Sequence, residues 1–169
     1  MLVVADASPL IALIEISRLE ILPALFSNIV IPPEVMSELQ SNKRPSAVRN
    51  FAAAPPTWLQ ICTPSKVETI PTLDRGETAA ICLALELKAD LLLIDEAKGR
   101  RAATKRHLPI TGTIGVLELA ADNNLLELAT TFAQLKNSSF WVSHNLIEKR
   151  LRIRREPRPA HETDQIDQL

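Results

Sequence analysis

Two hydrophobic rhythms alternate along the chain. Short apolar runs, LVVA (2–5), NIVI (28–31), WLQI (58–61), LLLI (91–94) and LPIT (108–111), have the length and composition of strands, WLQI giving the weakest signal. Between and after them, apolar positions recur at helical spacing over 9–17, 33–40, 76–88, 114–122, 125–136 and 144–155, which predicts helices there. Strands apolar on both faces and separated by helices predict a mainly parallel sheet covered on both sides, an α/β layer fold.

Pro45, Pro55, Pro56, Pro64 and Pro71 punctuate 41–73, so that stretch reads as loop with short interrupted helix rather than a second domain. From Arg155 the sequence REPRPAHETDQIDQL keeps only Ile166 and Leu169 as large apolar residues. The expected division is therefore one domain over 1–155 and a flexible charged tail over 156–169.

Composition agrees with that division. A chain of 169 residues, 46% hydrophobic and 23% charged, can bury a core as one domain. The net charge of −1 argues against a wholly basic nucleic-acid binder, yet the average conceals clustering. Residues 98–106 and 149–158 hold more than half of the 19 Lys and Arg. Cys62 and Cys82 form no C-x-x-C and have no nearby His pair, so neither a zinc site nor a disulfide framework is expected. The N-terminus lacks a basic leader region and carries Asp6, and no apolar run reaches the 18 or so residues of a membrane span. A protein of the reducing cytoplasm, without membrane contact, is the expectation.

The chemistry of the chain lies in its acids. Ligands of open α/β sheets bind beyond the carboxyl ends of the strands, and Asp6 and Asp95 both stand there. Ser8-Pro9 reads as an N-cap followed by proline in the first turn, which would turn the chain into a helix at once and hold Asp6 at the rim. Asp6 could equally be a helix-entry acid favoured by the macrodipole. Glu77 follows Asp74 by three residues, as in a capping box, and projects with Ile81 and Ala84 onto the apolar face of its helix. An inward carboxylate must be paired, protonated or bound to a cation, and a capping box meets that need as well as a metal does. Glu38 flanks the stripe made by Val35, Met36 and Leu39.

Gathered at one sheet end, Asp6, Glu38, Glu77 and Asp95, with Glu96 nearby, would form a crowded acidic cluster suited to hard divalent cations. Two such ions about 4 Å apart serve phosphodiester hydrolysis. Lys98, Arg100, Arg101, Lys105 and Arg106, following Asp95 directly, would then help a phosphate-rich substrate to approach, or would simply form a solvated basic helix face.

The segments VVADASPLI (3–11), VMSEL (35–39), LDRGETAAI (73–81), LLIDEAKGRRAA (92–103) and TGTIGVLELA (111–120), in this order, resemble the PIN-domain family, in the prokaryotic branch related to toxins of type II toxin-antitoxin pairs. The resemblance implies a three-layer α/β/α sandwich and a Mg²⁺- or Mn²⁺-dependent endoribonuclease. Carried over by position, its catalytic quartet is Asp6, Glu38, Glu77 and Asp95, with Asp6, Glu77 and Asp95 on the metal. Ser8 matches a small hydroxyl residue beside the first acid, and Arg100 a basic position after the fourth. Arg101 and Thr113, the latter in a turn with Thr111 and Gly112, complete the expected substrate contacts. Similar proteins form homodimers and are held inactive by a cognate antitoxin.

Where other family members carry a further acid a few positions after the fourth, this chain has Glu96 adjacent and then Ala97, Lys98 and Gly99, which leaves a second metal site open. Two other readings compete: a non-catalytic RNA-binding or protein-interaction module on the same scaffold, and an α/β phosphatase or receiver-like domain. A phosphatase of the haloacid-dehalogenase type would want an acid where Ser8 stands.

Overall fold

A computed structural model describes residues 1–155; the expected tail over 156–169 lies outside the described residues. Five strands, β1 (Leu2–Ala5), β2 (Asn28–Ile31), β3 (Leu59–Ile61), β4 (Leu91–Leu93) and β5 (Ile110–Thr111), form one sheet in the order β3-β2-β1-β4-β5. Every neighbouring pair is parallel. Val3, Val4 and Ala5 are all buried, as are Leu92 and Leu93, because the central strands have helices on both faces. At the outer position, β3 buries Leu59 and leaves Gln60 and Ile61 exposed, which accounts for its faint sequence signal.

The helices are α1 (Ala7–Glu15), α2 (Ile21–Leu25), α3 (Pro33–Leu39), α4 (Ser46–Ala53), α5 (Arg75–Glu86), α6 (Ala97–Thr104), α7 (Thr113–Asp122), α8 (Leu128–Lys136) and α9 (His144–Arg155). Against the sheet, α5 packs on β1 and β4 and α6 on β5; α2 packs on β2 and, with α1, on α7. The result is the expected three-layer sandwich, with a core that includes Leu10, Leu13, Ile29, Ile31, Ile81, Ile94 and Phe132.

Two helices fall outside the predicted set and a third sits within the stretch read as loop with short helix. α2 is only five residues long, and α6, AKGRRAAT, buries just Gly99 and Ala103, too little to print an apolar period. α4 holds itself to the core through Val48 and Ala52. The start of α1 differs as well. The helix begins at Ala7, so Asp6 occupies the N-cap position and Ser8 is already helical. Strand β1 passes Asp6 directly into the turn, its backbone amide donating to Leu93 of β4 at 2.9 Å, which leaves no room for a later cap.

Sequential strands run outward from β1 in both directions, so the strand order reverses between β1 and β4. The crevice beyond the carboxyl ends of those two strands is where such sheets bind ligands.

Candidate active site

Asp6 ends β1 and is 2% exposed. An N-cap aspartate ordinarily satisfies an amide of the first turn with its side chain. Here no such cap bond forms and Oδ1 has no hydrogen-bond partner. Burial pushes its carboxyl up to about 7; the Ala7 amide opposes the shift, and the charges of Glu38, Asp74 and Glu77 add to it.

Glu77 enters from α5. Its Oε2 accepts from the Asp74 amide at 3.2 Å while Asp74 Oδ1 accepts from the Glu77 amide at 2.8 Å, so the capping box forms as expected. It uses only one of the two glutamate oxygens. Glu77 is 4% exposed and its Oε1 is buried without a partner. Burial raises this carboxyl too, the Asp74 amide opposing and the Asp74, Glu96 and Glu38 charges reinforcing it. Capping and a second role are thus compatible in one side chain.

Glu38, half-buried on α3, forms an ion pair with Arg44 from the loop before α4. Its carboxyl is raised by burial, opposed by Arg44 and raised further by Asp74. The chain folds Arg44 back onto Glu38, a tertiary contact that spacing does not reveal. Asp74, read from sequence as a cap, also joins the cluster, for its charge bears on Asp6, Glu38 and Glu77 alike.

The four glycines of the chain form the floor and edges of this region, and none adopts positive φ, so they serve space rather than conformation. A methyl group on Gly76 would stand 3.0 Å from Glu38 Oε2, 3.4 Å from Asp74 Oδ1 and 3.7 Å from Asp6 Oδ1, which locates three carboxylates around one point. One on Gly99 would meet Glu77 Oε1 and the Ile94 side chain, one on Gly112 would run into Asp95, and one on Gly115 into Thr111. The glycines of RGE, KGR and TGT were a legible signal of close approach around the acids.

Asp95 stands somewhat apart. Oδ1 accepts from the Thr113 amide at 2.8 Å and Oδ2 from the Thr113 hydroxyl at 2.7 Å. Since Gly112, the N-cap of α7, has no side chain to offer, Asp95 caps that helix from across the crevice. Burial raises its carboxyl, Thr113 and Arg100 oppose the shift, and Glu96 is the acid whose charge reaches it. The structure thus brings Asp6, Glu38, Glu77 and Asp74 together and sets Asp95 at the edge with exposed Glu96.

The expected substrate contacts divide. Ser8 is partly exposed and lines a cavity beside the acids with Arg100. Arg100 also donates to the Ile94 carbonyl at 2.8 Å, which fixes its direction. Arg101 is exposed on α6. Thr113 is 0% exposed, so its hydroxyl positions Asp95 instead of reaching a substrate.

Do these residues suit a divalent cation? Among the described residues no three His, Cys, Asp or Glu side chains already stand in one metal-holding group. The donor chemistry nevertheless fits: all ligating atoms on offer are carboxylate oxygens, two of them buried and unpartnered, where burial, reinforced by neighbouring acids, raises the carboxyls of Asp6, Glu38 and Glu77. Asp6 and Glu77 are the pair with buried free oxygens, and Glu38 has one oxygen on Arg44 and the other beside Gly76.

Comparison with known proteins agrees with the architecture. A family model described as "PIN domain" matches residues 2–156. Among solved structures, a PilT N-terminus domain protein from the hyperthermophilic archaeon Sulfolobus solfataricus P2 superposes with a TM-score of 0.52 at 17% identity, over 85% of this chain and 99% of that one. No curated protein matches the sequence. Among the described residues, no helix is long and apolar enough to cross a membrane.

Proposed function

This chain belongs to the PIN-domain family, and on that premise we propose that it is a Mg²⁺- or Mn²⁺-dependent endoribonuclease. PIN domains are generally nucleases and usually bind divalent metals. The observation that carries the proposal is the pair of buried, unpartnered carboxylate oxygens on Asp6 and Glu77 at the point where the strand order reverses. A folded protein leaves such atoms bare at a cost of several kcal/mol unless something else meets them.

Asp6, Glu77 and Asp95 would hold the ion, with Glu38 completing the site. When bound, a divalent cation supplies Lewis-acid charge that makes water a better nucleophile and offsets the charge gathering on the leaving oxygen. The chain's own residues do the rest. Burial keeps the Asp6 carboxyl near neutrality in its proton affinity, so it can hold a proton until a cation replaces it. Glu77 is held by its capping bond, so its free oxygen keeps one direction. Thr113 fixes Asp95, and Arg44 and Arg100, which line the cavity, offer positive charge to a phosphate.

The cellular role we propose is that of the toxin-like member of a type II toxin-antitoxin pair, acting in the cytoplasm as a homodimer restrained by a cognate antitoxin. A second reading, a PIN-fold RNA-binding or protein-interaction module without turnover, draws on the Arg44–Glu38 pair and the Thr113–Asp95 bonds, which occupy two of the four acids.

Incubation of single-stranded RNA with the native chain and with Asp6→Asn, in Mg²⁺, Mn²⁺ or EDTA, separates the two. Metal-dependent cleavage lost in Asp6→Asn supports the nuclease. RNA bound equally well with or without metal, and never cut, supports the module. Growth arrest on expression, relieved by the same substitution, tests the toxin role.

A further inference from the structure

A cavity of about 710 Å³ opens beside Asp95 and Glu96, within the size range of small-molecule clefts. One wall is the start of α6 with residues 111–115; the other is residues 139–143, between α8 and α9, with Leu146 of α9. That segment is pinned at its base, where the Ser139 amide and hydroxyl donate to the two carboxylate oxygens of Glu15 at 2.8 Å each and Phe140 packs on the core. Trp141 follows immediately and is 86% exposed. Among the described residues no aromatic ring stacks on it. An anchored turn thus presents an exposed indole on a cavity that is also lined by Asp95 and Glu96.

Three arginines line the same cavity, each given a direction by a partner: Arg44 by Glu38, Arg100 by the Ile94 carbonyl, and Arg150 by Glu118 at 3.6 Å. Fixed positive groups around an aromatic plane match one chemistry well, a polyanionic backbone carrying bases whose faces are free. Single strands offer those faces and duplexes do not.

We propose that this cavity seats a nucleotide of single-stranded RNA adjoining the acid cluster, with Trp141 stacked on its base and Arg44 and Arg150 meeting its phosphates. The proposal rests on the nuclease reading for the identity of the strand, and it does not require turnover.

The test is fluorescence anisotropy of a labelled oligoadenylate of about ten nucleotides, with Mg²⁺ present and Asp6→Asn as the uncleaving parent. Adding Trp141→Ala weakens binding between about 5- and 150-fold, the range for one lost base–aromatic stack, while Trp141→Phe keeps most of the affinity. An oligomer of the same length with abasic positions binds the parent no better than the full oligomer binds Trp141→Ala. Trp141 is exposed, so these changes leave the fold intact. Equal binding by the parent and Trp141→Ala, indifference to the abasic positions, or no binding by the parent overturns the proposal, and the cavity then suits a partner peptide instead. Base-dependent losses in a chain whose native form cuts no RNA support the groove and sink the nuclease reading alone.

Discussion

Thr113 donates both its backbone amide, at 2.8 Å, and its hydroxyl, at 2.7 Å, to the two carboxylate oxygens of Asp95. The last acid of the quartet Asp6, Glu38, Glu77 and Asp95 is thereby fixed by the first residue of a helix eighteen positions away.

Removing that hydroxyl leaves a buried carboxylate oxygen short of a donor, at a cost of about 1–3 kcal/mol. Thr113→Val keeps the shape and should lose about that much in urea unfolding, whereas Thr113→Ser should lose less than half of it. If Thr113→Val matches the native chain and Thr113→Ser is the weaker of the two, packing of the γ-methyl and not the hydrogen bond is what matters at this position.

The Asp6 carboxyl titrates at about 7 in the folded chain against 3.8 when exposed. Between those values the folded state keeps a proton that the unfolded state has released. Its contribution to stability is therefore complete below pH 3.8 and lost as pH rises through about 7. The loss is on the order of 4 kcal/mol for this group, and the raised carboxyls of Glu38, Glu77 and Asp95 act in the same direction. In EDTA, Tm should fall between about pH 5 and pH 8, and the fall should shrink in Asp6→Asn. Mg²⁺ should restore more stability at the higher pH. Parallel pH profiles for the two proteins would contradict the assignment.

Much of this fold was legible because the strands are short and mostly apolar: LVVA and NIVI have the bounds read from their sequence, and Glu77 faces inward where helical projection puts it. What the sequence concealed rests on sparse burial or on tertiary contact. α6 buries only a glycine and an alanine, so no apolar stripe marks it. The Arg44–Glu38 pair depends on how the loop before α4 folds back. Asp74 is occupied by its cap in the sequence pattern, and only the approach of α3 to α5 brings its charge to bear on Glu38. Ser8 yields the cap position to Asp6 because β1 pairs through Asp6 to Leu93.

The glycines give a graded prediction. A methyl at Gly99 meets the Ile94 side chain inside the core and Glu77 Oε1 together, so Gly99→Ala should destabilise by about 1–3 kcal/mol as overpacking does. At Gly76 the nearest atom is Glu38 Oε2, 3.0 Å away and at the end of a flexible side chain. Gly76→Ala should therefore fold nearly as stably as the native chain while lowering RNA cleavage at least tenfold, because the carboxylates must spread. Thermal melts and initial rates on the two variants check both halves; normal cleavage by Gly76→Ala would mean that the three oxygens around that point do no chemistry together.

Arg44 competes with any cation for Glu38. The pair is about one-third exposed on each side, so its net worth to stability is below about 1 kcal/mol, and Arg44→Ala should melt within a few degrees of the native chain. Removing a positive charge next to the cluster has a larger effect on a divalent ion than on the fold. Even screened as in bulk water, a unit charge about 4 Å away is worth about 1 kcal/mol, so Mn²⁺ should bind Arg44→Ala roughly fivefold more tightly, or more, in calorimetric titration. Arg44→Lys, which keeps the charge without the planar fork, should bind Mn²⁺ like the native chain. Tighter binding in both variants would point to the loop geometry, and weaker binding in Arg44→Ala would mean that Arg44 holds Glu38 in position for the metal instead of withholding it.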